Sequence, residues 1–79
     1  MKKMLISGGT GGIGTAITLE FIRNGYHVFS THNNKSSEAL CDWKTVNQVS
    51  DENITLLDCD LTKPEQVELI VGSIVQEHS

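Results

Sequence analysis

Proline occurs once in these 79 residues, cysteine twice, and aromatic residues make up only 5% of the chain. Cys41 and Cys59 stand in no metal-ligand or redox spacing and read as small residues in a reducing compartment, not as a disulfide framework. His27, His32 and His78 are equally scattered, so no zinc site can be assembled from them. A long hydrophobic run is also missing. Lys2-Lys3 followed by Met4-Leu5-Ile6 begins like a signal peptide, but the apolar stretch ends at a glycine-rich segment, which leaves no secretory core or membrane span. A cytoplasmic location is the default expectation. Basic excess is absent too. A net charge of −4 and a pI near 5.1 argue against nucleic acid or a membrane surface as the main partner. What remains is an ordinary composition, 38% hydrophobic and 20% charged, in a chain long enough for at most one small domain.

Three short β-type runs alternate with three helical patterns. Lys3 to Ser7 is an apolar run closed by glycines, which suits a buried strand. From Gly12 to Asn24, Ile13, Ala16, Ile17 and Phe21 repeat at helical spacing and are expected on the inward face. Arg23-Asn24-Gly25 gives that helix a cation near its C-terminal dipole and a glycine able to take positive φ. Tyr26 to Thr31 is a second strand. The turn residues Asn33 to Ser37 include a serine N-cap for a helix carrying Ala39, Leu40, Trp43 and Val46. Ile54 to Leu57 is a third strand. Thr62-Lys63-Pro64-Glu65 has capping-box spacing, and Val67, Ile70, Val71, Ile74 and Val75 form the apolar face of the last helix. Such alternation predicts an α/β fold with right-handed crossovers and strand order 3-2-1, one half of a doubly wound parallel sheet.

Ser7-Gly8-Gly9-Thr10-Gly11-Gly12-Ile13-Gly14 lies between the first strand and the first helix. Five glycines in seven residues at this junction suit a diphosphate, which must come close to backbone N–H groups at the positive end of a helix where any Cβ would hold it away. Gly9, Gly11 and Gly14 satisfy GxGxxG; Gly8, Gly11 and Gly14 satisfy GxxGxxG; Gly8, Gly12 and Gly14 satisfy GxxxGxG. The glycines therefore indicate a dinucleotide without choosing a subfamily. A P-loop is the weaker reading, because no Gly-Lys-Ser/Thr follows and no lysine would reach a terminal phosphate.

Leu5 to Ile17 resembles the opening of a short-chain dehydrogenase/reductase, whose hallmark is TGxxxGxG, with Ser7 in place of the usual threonine. Asp60-Leu61-Thr62 and the helix after Pro64 resemble a second element of that family, an acid–hydrophobic pair that binds adenine. The resemblance covers nearly the whole chain, and Gly12 favours the compact branch over the extended one. It implies a Rossmann-like fold in which Gly8, Thr10, Gly11, Gly12, Ile13 and Gly14 hold the diphosphate and Asp60 and Leu61 hold the adenine. Asp58, two residues before Asp60 on the same strand, can share its face.

An NAD-preferring site needs a carboxylate at the end of the second strand to accept from the ribose 2′-OH. None occurs from Phe21 to Ser37. By the family pattern His32 occupies that place and Asn33 follows, so both are expected at the ribose. His32 and Lys35 can assist a 2′-phosphate, which leans the expectation toward NADP rather than NAD. Against this, Gly11 stands where NADP enzymes of the family often carry a basic residue.

The family's tyrosine, lysine, serine and asparagine for hydride transfer are not in these residues, and Tyr26 has no lysine at the required offset. Residues 1–79 thus read as the NAD(P)-binding front portion of an oxidoreductase, ending before its catalytic half. The complete protein is expected to act on a small carbonyl or alcohol and to be capable of homo-oligomerisation. A non-catalytic NAD(P)-binding regulatory module and an extended-type sugar epimerase or dehydratase are the alternatives.

Overall fold

The computed structural model describes residues 2–78. The chain alternates β1 (Lys2–Ser7), α1 (Gly12–Arg23), β2 (Tyr26–His32), α2 (Ser37–Asn47), β3 (Ile54–Asp58) and α3 (Pro64–His78). All strand pairing is parallel, with β2 between β1 and β3, the expected 3-2-1 order. Lys2 lies beside Tyr26 and Ser7 beside Thr31; Val28 lies beside Ile54 and His32 beside Asp58. Parallel pairing brings the C-terminal ends of all three strands out together, and the candidate site lies there. As the middle strand, β2 carries the deepest burial, in Val28, Phe29, Ser30 and Thr31. Val28, Ile54 and Val49 form the core; Leu19, Phe21 and Ile22 of α1 and Trp43 of α2 pack against it.

Local sequence sets the helix ends. Gly25 takes φ +86 just past α1, and its N–H donates to the Ile22 carbonyl at 3.0 Å. Ser36 caps α2, its Oγ accepting from the Ala39 N–H at 3.1 Å. The last helix starts differently from the sequence expectation. It begins at Pro64, so Thr62 lies before the cap, and the Thr62 hydroxyl donates to Asp60 Oδ1 instead of serving a capping box.

The inward face of α1 is also not the one that hydrophobicity selects. Ile13 is 82% exposed, and Ala16 and Ile17 are exposed as well. The face turned to the sheet is Thr15, Thr18, Leu19 and Ile22, with Thr18 fully buried; of the four expected residues only Phe21 packs against the core. The reason is steric. Gly14 abuts the backbone of Gly8 and Gly9, and Thr18 abuts Gly9, so small and hydroxylic side chains must face the turn. Ile13 and Ile17 then point away. On α2, Leu40 and Trp43 turn inward, but Val46 is exposed; on α3, Val67, Ile70 and Ile74 are half-buried, whereas Val71 and Val75 are exposed.

Candidate functional site

The glycine-rich turn is held from beneath by β2. The Gly8 N–H donates to the Thr31 carbonyl at 3.1 Å, and Gly8 itself adopts φ +67, a left-handed conformation that favours glycine. Gly11 N–H returns to the Gly8 carbonyl at 3.1 Å, closing the turn, and the Thr15 N–H to Gly11 carbonyl bond of 2.7 Å starts α1. Thr18 Oγ1 donates to the Gly9 carbonyl at 3.0 Å across a buried contact. A Cβ at Gly9 would run into Ser30 Oγ and Thr18 Oγ1, and one at Gly14 would run into the Gly8 carbonyl. These two glycines serve packing. Gly8 and Gly12 differ: a Cβ there would meet nothing within 4 Å. The N-cap, Gly11, provides no side-chain cap, and the first turn of α1 contains no acidic residue. Backbone donors at the helix start are therefore left for a ligand, in a field that favours an anion.

Facing the turn is the loop between β2 and α2. Lys35 reaches back so that Nζ donates to Thr10 Oγ1 at 2.9 Å, and Thr10 is itself buried. The Lys35 backbone N–H donates to His32 Nδ1 at 3.3 Å, so Nδ1 acts as an acceptor here. Asn34 adopts φ 60, and its N–H donates to Asp58 Oδ1 at 3.0 Å. The Cys59 N–H to His32 carbonyl bond of 2.8 Å ties the ends of β2 and β3 together. Asn33 and Asn34 then line, with Asp58, Asp60, Lys63 and Gln66, a polar depression of about 270 Å³.

Asp60 is set by the residues that follow it. Its Oδ1 accepts from the Thr62 hydroxyl at 2.6 Å and the Thr62 N–H at 3.0 Å, while its own N–H donates to Gln66 Oε1 at 2.9 Å. The hydroxyl bond, then the backbone bond, hold the carboxyl below its usual range; burial opposes them, and the charge of Lys63 adds a lesser lowering. Leu61 is exposed beside it. The structure thus gathers the sequence-derived residues at one end of the sheet, in two groups: Gly8 to Gly14 at the helix, and His32, Asn33, Asp60 and Leu61 along the strand ends.

Three contacts were not foreseen from sequence: Thr18 to Gly9, Lys35 to Thr10, and Asp58 to Asn34. The residues are 9, 25 and 24 positions apart, beyond the reach of any local pattern except the shared helix face of Gly14 and Thr18. Tyr26 is structural: its ring meets Phe21 edge-on at 4.9 Å and lies under Lys2 Nζ at 5.5 Å. Among the described residues no cluster of His, Cys, Asp or Glu can hold a metal, and no helix is long and apolar enough to cross a membrane.

Comparison with known proteins agrees with this fold. The family model of short chain dehydrogenases matches residues 2–79. The solved structure of ElxO with NADP bound is 36% identical, with a TM-score of 0.83 over 98% of this chain and 30% of that one; ElxO also has a structure with NADPH bound. A candidate 3-oxoacyl-reductase from Bacillus thuringiensis is 26% identical, with a TM-score of 0.78 over 99% of this chain and 31% of that one. A short-chain dehydrogenase from Streptomyces avermitilis, 22% identical with a TM-score of 0.80 over 99% of this chain and 27% of its own, shares the fold. The comparison with curated proteins returns no match. The chain spans about 30% of the length of the structures it matches.

Proposed function

Since this chain belongs to the short-chain dehydrogenase family, we propose that residues 1–79 form the dinucleotide-binding first portion of an NADP-preferring oxidoreductase acting on a carbonyl/alcohol pair. The observation that carries this reading is the uncapped first turn of α1, open above Gly8 and Gly12 and free of acidic side chains. A diphosphate fits such a cradle, because the turn offers N–H donors and a positive dipole end with no Cβ in the way. Gly8, Thr10, Gly11, Gly12 and Ile13 would hold the diphosphate, with Gly14 keeping α1 close against the turn; His32 and Asn33 would hold the adenosine ribose, and Asp60 and Leu61 the adenine.

When bound, the nicotinamide supplies or accepts the hydride. The residues described here bind and orient. Proton transfer and carbonyl polarisation belong, in this reading, to parts of the protein outside these residues, as does the choice of small-molecule substrate. A cytoplasmic location belongs to the same reading. Preference for the phosphorylated cofactor is supported by the absence of a carboxylate on the β2–α2 loop, by the Lys35 ammonium lying over Thr10, and by the NADP and NADPH bound to ElxO.

Titration of the full-length protein with NADPH and NADH, followed by nicotinamide fluorescence, tests this. NADPH should bind more tightly, and His32→Asp should reverse the order. The new carboxylate would accept from a 2′-OH and repel a 2′-phosphate, each effect being worth about 1–3 kcal/mol, or roughly tenfold or more. A strong NADH preference in the unmodified protein would overturn the assignment of His32.

A further inference from the structure

The loop that lacks a carboxylate in sequence has one in space. His32 and Asp58 are in-register neighbours on β2 and β3. From there Asp58 Oδ1 accepts the Asn34 N–H at 3.0 Å, so the carboxylate is fastened to the loop that follows His32. Asn34 is held at φ 60 while doing so. The Asp58 carboxylate forms no ion pair among the described residues, and its second oxygen accepts no hydrogen bond among them. It lines the polar depression together with Asn33, Asn34 and Asp60. A carboxylate, fixed in place and in no ion pair among the described residues although Lys63 lines the same depression, therefore stands one strand away from the position expected to meet the adenosine ribose.

We propose that Asp58 is a specificity-determining residue of this site: its carboxylate, supplied by β3 and anchored on Asn34, limits how far the site can favour a 2′-phosphate over a 2′-hydroxyl. The proposal rests on the dinucleotide reading above. Lys35 and Asp58 then act in opposition on one loop. The ammonium over Thr10 attracts a 2′-phosphate, and the carboxylate bonded to the Asn34 N–H opposes it. Because the effect is Coulombic, it acts on the phosphorylated dinucleotide far more than on the other, and salt screens it. A residue that merely propped up the loop would affect both dinucleotides alike.

The test is binding, not turnover, in the full-length protein. Asp58→Asn keeps an oxygen for the Asn34 N–H and removes the charge. NADPH should bind about three- to tenfold more tightly to this variant while NADH affinity stays within about twofold, a size expected for one partly solvated charge pair. Raising the salt from about 0.05 M to about 0.5 M should shrink the gain to less than about twofold. Asp58→Glu, which retains the charge, should keep the NADPH to NADH ratio within about twofold of the unmodified protein. An unchanged ratio in Asp58→Asn, a gain indifferent to salt, or identical behaviour of the Asn and Glu variants would each overturn the proposal. If the unmodified protein binds neither dinucleotide, the reading of the whole site falls and this inference with it; if it binds one and Asp58→Asn leaves the ratio unchanged, this inference alone falls.

Discussion

Gly12 and Gly14 are two residues apart on α1, yet the same substitution should have opposite consequences at each. In Gly14→Ala the added methyl would run into the Gly8 carbonyl oxygen and come within 3.0 Å of the Gly8 carbonyl carbon and the Gly9 Cα. All of these are backbone atoms, so relief requires the turn itself to move. Overpacking of this kind costs about 1–3 kcal/mol, and the gain in helix propensity from glycine to alanine returns at most about 1 kcal/mol. A net loss of about 1–2 kcal/mol is expected, with the melting temperature falling by about 2–4 °C for each kcal/mol in a domain of roughly 150–250 residues. Gly12→Ala places its methyl in open space. Its stability should be unchanged or higher by up to about 0.5 kcal/mol, while NADPH binding weakens by about tenfold as the methyl enters the diphosphate's approach. Thermal melts of the ligand-free full-length variants, followed by dinucleotide titration, separate the two roles. A Gly14→Ala protein as stable as the unmodified one, or a Gly12→Ala protein that melts early and binds normally, would refute the division of these glycines into packing and approach.

The buried polar pair beneath the turn gives a second expectation. Ser30 Oγ is buried with no hydrogen-bond partner among the described residues, so Ser30→Ala should leave stability unchanged or raise it by up to about 1 kcal/mol, whereas Thr18→Val breaks the bond to the Gly9 carbonyl and should cost about 1–2 kcal/mol. Urea denaturation measures both, and a destabilised Ser30→Ala protein would contradict the reading. The third expectation concerns pH. The Thr62 hydroxyl and N–H hold the Asp60 carboxyl below its usual range; the stability this gives is fully present above the usual carboxylate value and is lost as pH falls through the lowered native one. Thr62→Ala should move the Asp60 titration, followed by NMR at its carboxyl carbon, back up toward the usual value. A titration that stays where it was would assign the lowering to some other group.

What the sequence disclosed was the part governed by near neighbours. Strand–helix alternation, the positive φ of Gly25 and the Ser36 cap all follow from residues within a few positions of one another, and the observed strands differ only by single residues at their ends. The facing of α1 was not disclosed. Ile13, Ala16 and Ile17 make the more apolar stripe, but the Gly8–Gly9 backbone leaves room only for the Gly14 and Thr18 side of the helix. Hydrophobic periodicity ranks faces by what they would gain from burial and is blind to whether the opposite surface can receive them. The candidate site divides along the same line. Its glycines and the Asp60-Leu61 pair were legible as motifs, while the hold of Asp58 on Asn34 and of Lys35 on Thr10 depends on strand register and loop path.

The hydrogen bond from Thr18 to the Gly9 carbonyl has an entropic consequence. It joins the second turn of the helix to the loop that the same helix must present, across a contact where Ser30 and Thr18 already leave no space for a methyl. Glycine-rich segments ordinarily surrender much conformational freedom when a ligand fixes them. Here the turn is held by the protein's own bonds, Gly8 to Thr31, Gly11 to Gly8 and Gly9 to Thr18, so that freedom is given up in folding. An anion arriving at the head of α1 would meet a receptor that is already rigid, and little of its intrinsic affinity would be diverted into ordering the backbone.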